Sequence, residues 1–216
     1  MPSKKDKITV IDYGMGNLFN VVRAFEALEC DVSITNNYNK IANADKLLLP
    51  GVGAFEDGMN DLKASNLDNA IIEFSLCERP LMGICLGMQL LMSRSEENGN
   101  HIGLNLIEGD VLRFKEPNES SSNYKIPQIG WNKLLKTKSN PWAGSILEGI
   151  DNNSYMYFLH SYYVHPKDAK VVLSGTDYGQ NTFCSVLQKN QIIGCQFHPE
   201  RSGEIGLKIL KNFIKL

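Results

Sequence analysis

Short apolar runs alternate with amphipathic stretches over the first half of the chain. The runs, rich in Ile, Val and Leu, have the length of buried strands. The stretches between them place apolar residues such as Leu18, Val21 and Phe25 at helical spacing. The pattern predicts strands at residues 8–11, 31–35, 46–49 and 81–84 and helices at residues 18–28, 57–76 and 86–95. Such alternation is typical of a doubly wound, mostly parallel α/β sheet with helices on both faces.

The second half of the chain has a different pattern. Residues 116–125 are polar and rich in Ser and Asn, which predicts a surface loop. Residues 126–197 are rich in predicted strands and indicate an antiparallel extension of the sheet. An amphipathic stretch at the C-terminus predicts a final helix. Because no repeat or linker divides the chain, we expect one domain over residues 1–216, which includes a polar lead-in at 1–7.

Composition narrows the class of protein. The chain carries 22 basic and 24 acidic residues, and without a long basic run it does not indicate a nucleic-acid or membrane surface. No apolar run approaches the ~18 residues of a membrane helix. Five cysteines without a Cys-x-x-Cys pair are typical of reduced thiols, so a cytoplasmic location is expected. No cluster has metal-ligand spacing, and we expect neither a metal nor a cofactor.

The most informative segment is Gly83-Ile84-Cys85-Leu86-Gly87, between a predicted buried strand and a predicted helix. It is the cysteine version of the nucleophile elbow, in which two glycines permit a tight strand-to-helix turn. The turn directs the thiol out of the carboxyl end of the sheet, and N–H groups at the helix start favour the thiolate. A buried structural cysteine is the alternative, but this setting favours Cys85 as a nucleophile over the other four cysteines.

A cysteine nucleophile needs a base, and the base needs an orienting group. His198 follows an apolar run, and Glu200 lies two residues further on. This spacing favours His198 as the base and Glu200 as the carboxylate that holds its tautomer. The alternative is a surface His-Pro turn with a solvated Glu. We expect His160 in a strand that forms a pocket wall, and His101 and His165 in loops.

A glycine-rich loop, residues 50–55, follows the third predicted strand. Attack on an amide creates an oxyanion that needs preorganised N–H donors, and a Gly-x-Gly turn can direct its N–H groups inward. The N–H of Leu86, next after the nucleophile, is the natural second donor. Most such glycine strings are plain turns. A phosphate-binding loop is excluded because neither of the nucleotide-binding glycine patterns is present.

Together these segments resemble the triad (class I) glutamine amidotransferases, over a match from about Ile8 to the C-terminus. Within that family the segments more closely resemble the glutaminase subunits of imidazole glycerol phosphate synthase. It has Pro-Gly-Val-Gly where other members usually carry Pro-Gly-Gly, and it has a Gly-Trp-Asn string. The segments that carry the resemblance are residues 12–17, 50–55, 83–91, 127–132, 160–162 and 196–202.

The resemblance implies a thioester mechanism in which Cys85 attacks the side-chain amide of L-glutamine, His198 transfers protons and Glu200 orients His198. It implies that the N–H groups of Gly53 and Leu86 bind the oxyanion. The implied glutamine-binding residues are Gln89, Glu97, Ser161 and Tyr162. The implied partner-facing residues are Asn17, Asn20, Trp131, Asn132, Tyr157 and Arg201.

The resemblance also implies a partner. In this family a (βα)₈-barrel cyclase, expected in a one-to-one heterodimer, uses the ammonia to make imidazole glycerol phosphate and AICAR in histidine biosynthesis. No motif of a second synthetase domain is present, so we expect the ammonia acceptor on another chain. Arg201 stands where lysine is common and Gln128 where histidine is common. A paralogue that feeds nucleotide-sugar or surface-polysaccharide amidation is therefore an alternative, as is a stand-alone cysteine hydrolase or peptidase, or a silent binding module.

Overall fold

The computed structural model describes residues 6–117, 124–137 and 141–216. Most of the loop predicted at 116–125 and of the lead-in at 1–7 lies outside these residues, so both stay predictions. Six α-helices form in the described part of the chain, and none of them is long and apolar enough to cross a membrane. The helices are α1 Leu18–Ala27, α2 Tyr38–Ala42, α3 Phe55–Ala64, α4 Leu67–Ser75, α5 Leu86–Leu90 and α6 Gly203–Ile214.

The strands of the described residues form one large sheet and two small ones. In chain order they are β1 Lys7–Ile11, β2 Asp31–Thr35, β3 Leu47–Gly51, β4 Leu81–Cys85, β5 Met92–Ser95, β6 His101–Ile102, β7 Ile107–Arg113, β8 Gln128–Lys133, β9 Leu135–Lys136, β10 Tyr155–His160, β11 Tyr162–Pro166, β12 Val172–Tyr178, β13 Asn181–Lys189 and β14 Ile192–Cys195. The large sheet has the order β2-β1-β3-β4-β14-β13-β12-β9. Strands β8 and β10 pair with each other, and β11-β7-β5-β6 form the third sheet.

The large sheet confirms the predicted α/β class. Its first five strands, from β2 to β14, run parallel, and β13, β12 and β9 continue it in antiparallel fashion. Parallel strands are connected by crossovers that place helices on the faces of a sheet, so both faces must be apolar. Strand β3 shows this directly: Leu48 belongs to the core on one face, and Leu47 and Leu49 belong to the core on the other.

Helices cover both faces of this sheet, as predicted. On one face Phe25 of α1 packs edge-on against Phe213 of α6, with ring centroids 6.4 Å apart. On the other face α2, α3 and α4 contribute Ile41, Leu62 and Ile71, all fully buried. Burial of these side chains, each worth ~1.5–3 kcal/mol, is the main source of stability for the layers.

Two helix predictions were wrong in extent. The helix predicted at 57–76 is two helices, because Asn66 adopts a left-handed conformation (φ 55°) between α3 and α4. The helix predicted at 86–95 ends at Leu90, and β5 follows at once. Residues Met92–Ser95 form a strand because they pair with β6 and β7, and periodicity alone cannot reveal this pairing.

Smaller differences concern histidines and one short helix. His101 lies in β6 and His165 in β11, not in loops, because His101 pairs with Ser95 of the neighbouring strand β5 and His165 pairs with Asp110 of β7. His160 lies in β10, as predicted. Helix α2, which begins at Asn37 as its N-cap, was not predicted. The parallel strands β1, β3, β4 and β14 end at the same edge of the sheet, and the loops that leave this edge build the candidate site.

Candidate active site

The thiol of Cys85 is presented by a strained turn between β4 and α5. Cys85 has φ 54° and ψ −110°, a conformation that is rare for a residue with a side chain. A Cβ at Gly83 would lie 2.7 Å from the carbonyl carbon of Gly87, and a Cβ at Gly87 would overlap the carbonyl oxygen of Leu49. Only glycine fits either position, which is the arrangement expected of a nucleophile elbow.

Polar groups surround the sulfur, although Cys85 is only 6% exposed. The Leu159 carbonyl oxygen lies 3.7 Å from Sγ, and Nε2 of Gln196 lies 3.9 Å from it. Helix α5 has only five residues, half the length predicted, so its dipole contributes less to a thiolate than a long helix would. The side chains around the sulfur therefore contribute more to stabilising a thiolate than the sequence pattern indicated.

His198 and Glu200 form a buried pair beyond the end of β14. Nδ1 of His198 lies 2.8 Å from Oε1 of Glu200, and their side chains are 6% and 2% exposed. A 3₁₀ turn at Pro199–Arg201 brings the carboxylate back to the ring. The backbone of His198 is held on both sides, because its N–H donates to the Tyr157 carbonyl at 2.9 Å and its carbonyl accepts from the Ser202 hydroxyl at 2.7 Å.

The electrostatic setting favours a protonated imidazole. Burial alone lowers the pKa of His198, but interactions with Cys85 and with Glu200 outweigh it and raise the pKa to about 10. Nε2 of His198 is buried and makes no hydrogen bond of standard geometry, yet it lies close enough to Cys85 for a thiolate to stabilise the ring. Hydrogen bonds between catalytic groups are often long before substrate binds. The arrangement suits a thiolate–imidazolium pair.

A cavity of about 230 Å³ opens over the sulfur. It is smaller than the roughly 300–1,000 Å³ of pockets for drug-sized ligands and suits a single amino acid better than a peptide. The lining brings together the predicted nucleophile, the predicted oxyanion donors and the predicted glutamine-binding residues, namely Gly53, Cys85, Leu86, Gln89, Glu97, Ser161 and Tyr162. These residues come from four separate segments of the chain, and their assigned roles stay predictions.

Two of the lining side chains already have protein partners. Gln89 is buried, and its Nε2 donates to the Tyr162 carbonyl at 2.8 Å and to Oε1 of Gln196 at 3.3 Å. Both of its N–H groups are thus used, and only its oxygen remains to accept from a ligand. Oε2 of Glu97 accepts from the N–H of Phe55 at 2.7 Å. Burial raises the pKa of the Glu97 carboxyl, and the Phe55 N–H opposes this rise.

The glycine-rich loop lies directly beside the nucleophile. Strand β3 continues through Pro50 to Gly51, which is in register with Cys85. Gly53 has φ 111°, a conformation that favours glycine, and the Met15 methyl group occupies the space where a Cβ would lie. The neighbouring Val52 is 39% exposed. The loop therefore combines a special backbone conformation with access to the cavity.

Three of the predicted partner-facing residues form a stack that leads from the surface to the His198 ring. Trp131 is 53% exposed and meets Tyr157 edge-on, with ring centroids 5.9 Å apart. The guanidinium of Arg201 lies 4.3 Å from the centre of the same Tyr157 ring. The Tyr157 and His198 rings are 6.5 Å apart. The structure thus brings Trp131, Tyr157 and Arg201 together at the site.

The three predicted asparagines have mixed settings. Asn17 is exposed and caps α1 by accepting the N–H of Asn20 at 3.3 Å. Helix α1 packs against the 3₁₀ turn that carries Arg201. Nδ2 of Asn132 donates to the Asp177 carbonyl at 3.1 Å, so this side chain also holds two strands together.

The sequence profile of class-I glutamine amidotransferases matches residues 9–216. The chain belongs to this family. It is 42% identical over 210 residues to a Legionella pneumophila (strain Paris) protein named imidazole glycerol phosphate synthase subunit HisH 1, which covers 97% of this chain and 99% of the relative. It is 45% identical over 207 residues to a Syntrophotalea carbinolica protein named imidazole glycerol phosphate synthase subunit HisH, with 95% and 98% coverage.

Solved structures show the same fold at low sequence identity. The structure of PurLQS from Thermotoga maritima aligns with a TM-score of 0.73 at 17% identity and covers 98% of this amidotransferase and 99% of that chain. A glutamine amidotransferase from Thermotoga maritima aligns with a TM-score of 0.57 at 17% identity, with 98% and 82% coverage. The doubly wound sheet and its antiparallel extension are thus an architecture that other amidotransferases share.

One polar group of this amidotransferase site was not predicted from the sequence. Gln196 is fully buried and contacts the sulfur of Cys85, the predicted nucleophile. A polar residue next to an apolar strand run needs a buried partner, and that was the available signal. His160 lines the cavity, as predicted, and burial lowers its pKa to about 3, so its ring is neutral. Within the described ranges, no group of His, Cys, Asp and Glu is placed to hold a metal ion.

Proposed function

We propose that this chain is the glutaminase subunit of an imidazole glycerol phosphate synthase. In this proposal it hydrolyses L-glutamine to glutamate and ammonia and delivers the ammonia to a (βα)₈-barrel cyclase subunit. The observation that carries the proposal is the strained elbow cysteine beside a buried His–Glu pair, at the floor of a cavity sized for one amino acid. Relatives at 42–45% identity over nearly the whole chain are named as subunits of that synthase.

The first half-reaction forms a thioester. The Cys85 thiolate attacks the carbon of the glutamine side-chain amide, and the carbonyl oxygen becomes an oxyanion bound by the N–H groups of Gly53 and Leu86. Each such donor contributes roughly 3–4 kcal/mol to transition-state stabilisation. Protonated His198 gives its proton to the departing nitrogen, the carbon–nitrogen bond breaks, and ammonia leaves. The raised pKa of His198 suits this role as an acid.

The second half-reaction releases glutamate. His198, now neutral, takes a proton from water, and the water oxygen attacks the thioester carbon. The carbon–sulfur bond breaks, glutamate leaves, and the Cys85 thiolate is restored beside protonated His198. Glu200 holds the imidazole tautomer through its contact with Nδ1, so that Nε2 faces the reacting atoms in both steps.

In this proposal each end of glutamine meets a complementary chemical group of the cavity lining. The α-ammonium suits the Glu97 carboxylate and the free oxygen of Gln89, both of which accept hydrogen bonds. Ser161 and Tyr162 also line the cavity and suit the α-carboxylate. This orientation leaves the side-chain amide over Cys85. The limited volume favours free glutamine over a peptide and so disfavours the alternative of a peptidase.

The partner surface proposed here consists of the stack of Trp131, Tyr157 and Arg201 together with Asn17 and Asn20. Exposed aromatic and Arg side chains are typical of the centre of a protein interface. The N–H of Tyr157 donates to the Ser202 hydroxyl, which in turn donates to the His198 carbonyl. Contact of a cyclase with Tyr157 would thus reach the catalytic base through these two hydrogen bonds and through the direct bond from the His198 N–H to the Tyr157 carbonyl.

The test is the glutaminase rate of the purified chain alone, with the cyclase subunit from the same genome, and with cyclase plus its nucleotide ligand. We expect the chain alone to be slower by about two to three orders of magnitude, the factor that one misplaced oxyanion donor would cause. Trp131→Ala should reduce the stimulation, and Leu76→Ala, which truncates a side chain that is 78% exposed on α4, should not. A high rate that ignores the cyclase would favour a stand-alone hydrolase.

A further inference from the structure

A series of side-chain hydrogen bonds connects the Tyr162 backbone to the sulfur of Cys85. Nε2 of Gln89 donates to the Tyr162 carbonyl at 2.8 Å and to Oε1 of Gln196 at 3.3 Å. Nε2 of Gln196 then donates to Sγ of Cys85 at 3.9 Å. Gln196 is fully buried, and Gln89 is 4% exposed. The three bonds therefore lie inside the protein, where a polar group needs a partner.

The direction of these bonds is fixed by the backbone. A carbonyl oxygen can only accept, so Gln89 must present its nitrogen to Tyr162. That nitrogen has a second N–H, which requires an acceptor and so selects the oxygen of Gln196. The other end of the Gln196 amide, its nitrogen, is then the atom that faces the sulfur. The orientation of both amides therefore follows from the network.

We infer that Gln196 is a further catalytic residue, whose side-chain N–H donates to the Cys85 sulfur and stabilises it as a thiolate. A donor to a charged acceptor makes a stronger hydrogen bond than a donor to a neutral one. The bond is therefore strongest when the sulfur is an anion and weakest in the thioester. The inference rests on the proposed role of Cys85 as the nucleophile.

The thiolate appears twice in the reaction, so the donor acts twice. Before acylation it favours transfer of the thiol proton to His198, which leaves the sulfur anionic. During deacylation the carbon–sulfur bond breaks and the sulfur takes the bonding electron pair, and the same N–H stabilises the anion that leaves. Because α5 is only five residues long, the helix start contributes little, and a side-chain donor fills this role.

Gln89 has a positioning role in this network. Its nitrogen holds the Gln196 oxygen and so prevents the Gln196 amide from rotating its oxygen toward the sulfur. An oxygen facing a thiolate would repel it. The Tyr162 carbonyl also accepts from Nδ1 of His160 at 2.8 Å, which fixes the acceptor at the start of the series.

The experiment measures the rate of alkylation of Cys85 by iodoacetamide as a function of pH. A Cys77→Ser background removes the exposed thiol, and of the four buried cysteines that remain Cys85 alone lines the cavity. Gln196→Met keeps the length of the side chain and removes the donor. Ser185→Ala is the matched control, because Ser185 is fully buried, and its backbone carbonyl accepts the N–H of Gln196, but its hydroxyl has no hydrogen-bond partner.

We expect Gln196→Met to move the midpoint of alkylation to higher pH and to slow alkylation at neutral pH by about tenfold, the ratio that ~1.4 kcal/mol produces. Gln89→Met, which frees the Gln196 amide to rotate, should shift the midpoint in the same direction by a smaller amount, and Ser185→Ala should leave it unchanged. If one of the two glutamine variants does not fold, which a lost thermal transition would show, the alkylation profile of the other variant tests the inference. Profiles of the glutamine variants that match Ser185→Ala would overturn the inference.

Alkylation does not depend on glutamine turnover, so the result is independent of the proposed function. Cys85→Ala tests that function separately, by loss of glutamine hydrolysis. If Cys85→Ala is inactive and Gln196→Met leaves the pH profile of alkylation unchanged, Cys85 is the nucleophile but Gln196 is not its hydrogen-bond donor. If Cys85→Ala keeps its activity, the proposed function itself fails.

Discussion

The imidazole of His198 lies between a sulfur and a carboxylate, and this position determines its chemistry. Both neighbours favour the charged ring, so the pKa of His198 is raised despite burial. A raised pKa means that protonated His198 stabilises the folded state. This stabilisation is complete below about pH 6.5, the pKa of His in an unfolded chain, and is lost as pH rises through about 10. The same charge keeps a proton ready for departing ammonia.

Substitution of Glu200 by Gln should move the alkaline limit of glutaminase activity to lower pH. The change removes one anion that raises the pKa of His198, and it also loosens the hold on the tautomer. We expect a loss of roughly 10-fold to 100-fold at neutral pH, and a loss of about 10³-fold or more for His198→Asn, which removes the acid and base altogether. The measurement is the pH–rate profile of each variant. A larger loss in Glu200→Gln than in His198→Asn would mean that the two roles are misassigned.

The sequence predicted some residues of the site and missed others. Cys85 and His198 stand in segments whose glycine spacing and chain order have a chemical reason, and the structure brings them together. The contact of Gln196 with the sulfur has no such signature. It depends on a network that starts at the Tyr162 backbone, and Tyr162 is 34 positions before Gln196 in the sequence.

At the scale of elements, the elbow between β4 and α5 depends on close approach of three backbone segments. Gly87 lies so near the end of β3 that a methyl group would meet the Leu49 carbonyl oxygen. A backbone atom cannot move aside as a side chain can. The turn is therefore a packing requirement of the sheet as well as a way to present the thiol.

Gly87→Ala should destabilise the fold by roughly 2–4 kcal/mol, because the added methyl group overpacks against backbone. Glutaminase activity should fall with it, since any relief of the clash moves Cys85. The control is Gly175→Ala in β12, where a Cβ would meet ordinary contacts at 3.6 Å and where we expect a change within about 0.5 kcal/mol. Urea unfolding of the two variants gives the comparison. Equal stability would show that the elbow is looser than described.

Elements were predictable where apolar periodicity is long and unambiguous. Strands β1, β2, β3 and β4 and helix α1 follow from it within about two residues. The segment after Leu90 was not predictable, because so short a segment of mixed polarity continues a helix or begins a strand equally well. Its conformation is decided by pairing with β6 and β7, and periodicity within the segment carries no information about that pairing.

At the scale of the whole molecule, the parallel sheet gathers loops that are far apart in sequence. The ends of β1, β3, β4 and β14 share one edge, so the β1–α1 loop, the glycine-rich loop, the elbow and the His198 segment meet there. The smaller sheets complete the site, because β10 leads into Ser161 at the cavity wall and carries Tyr157 beside His198. The fold class predicted that the site lies at this edge of the sheet, and only the structure shows which segments form the walls of the cavity.

The central claim is that Cys85 carries the glutamyl group of glutamine as a thioester. The most direct measurement is rapid acid quench of the cyclase-activated protein during glutamine turnover, followed by mass spectrometry of its peptides. The account predicts a glutamyl adduct on the peptide that contains Cys85, unchanged in Cys77→Ser and absent in Cys85→Ala, which should also hydrolyse no glutamine. An adduct on another residue, or wild-type turnover by Cys85→Ala, would contradict the account.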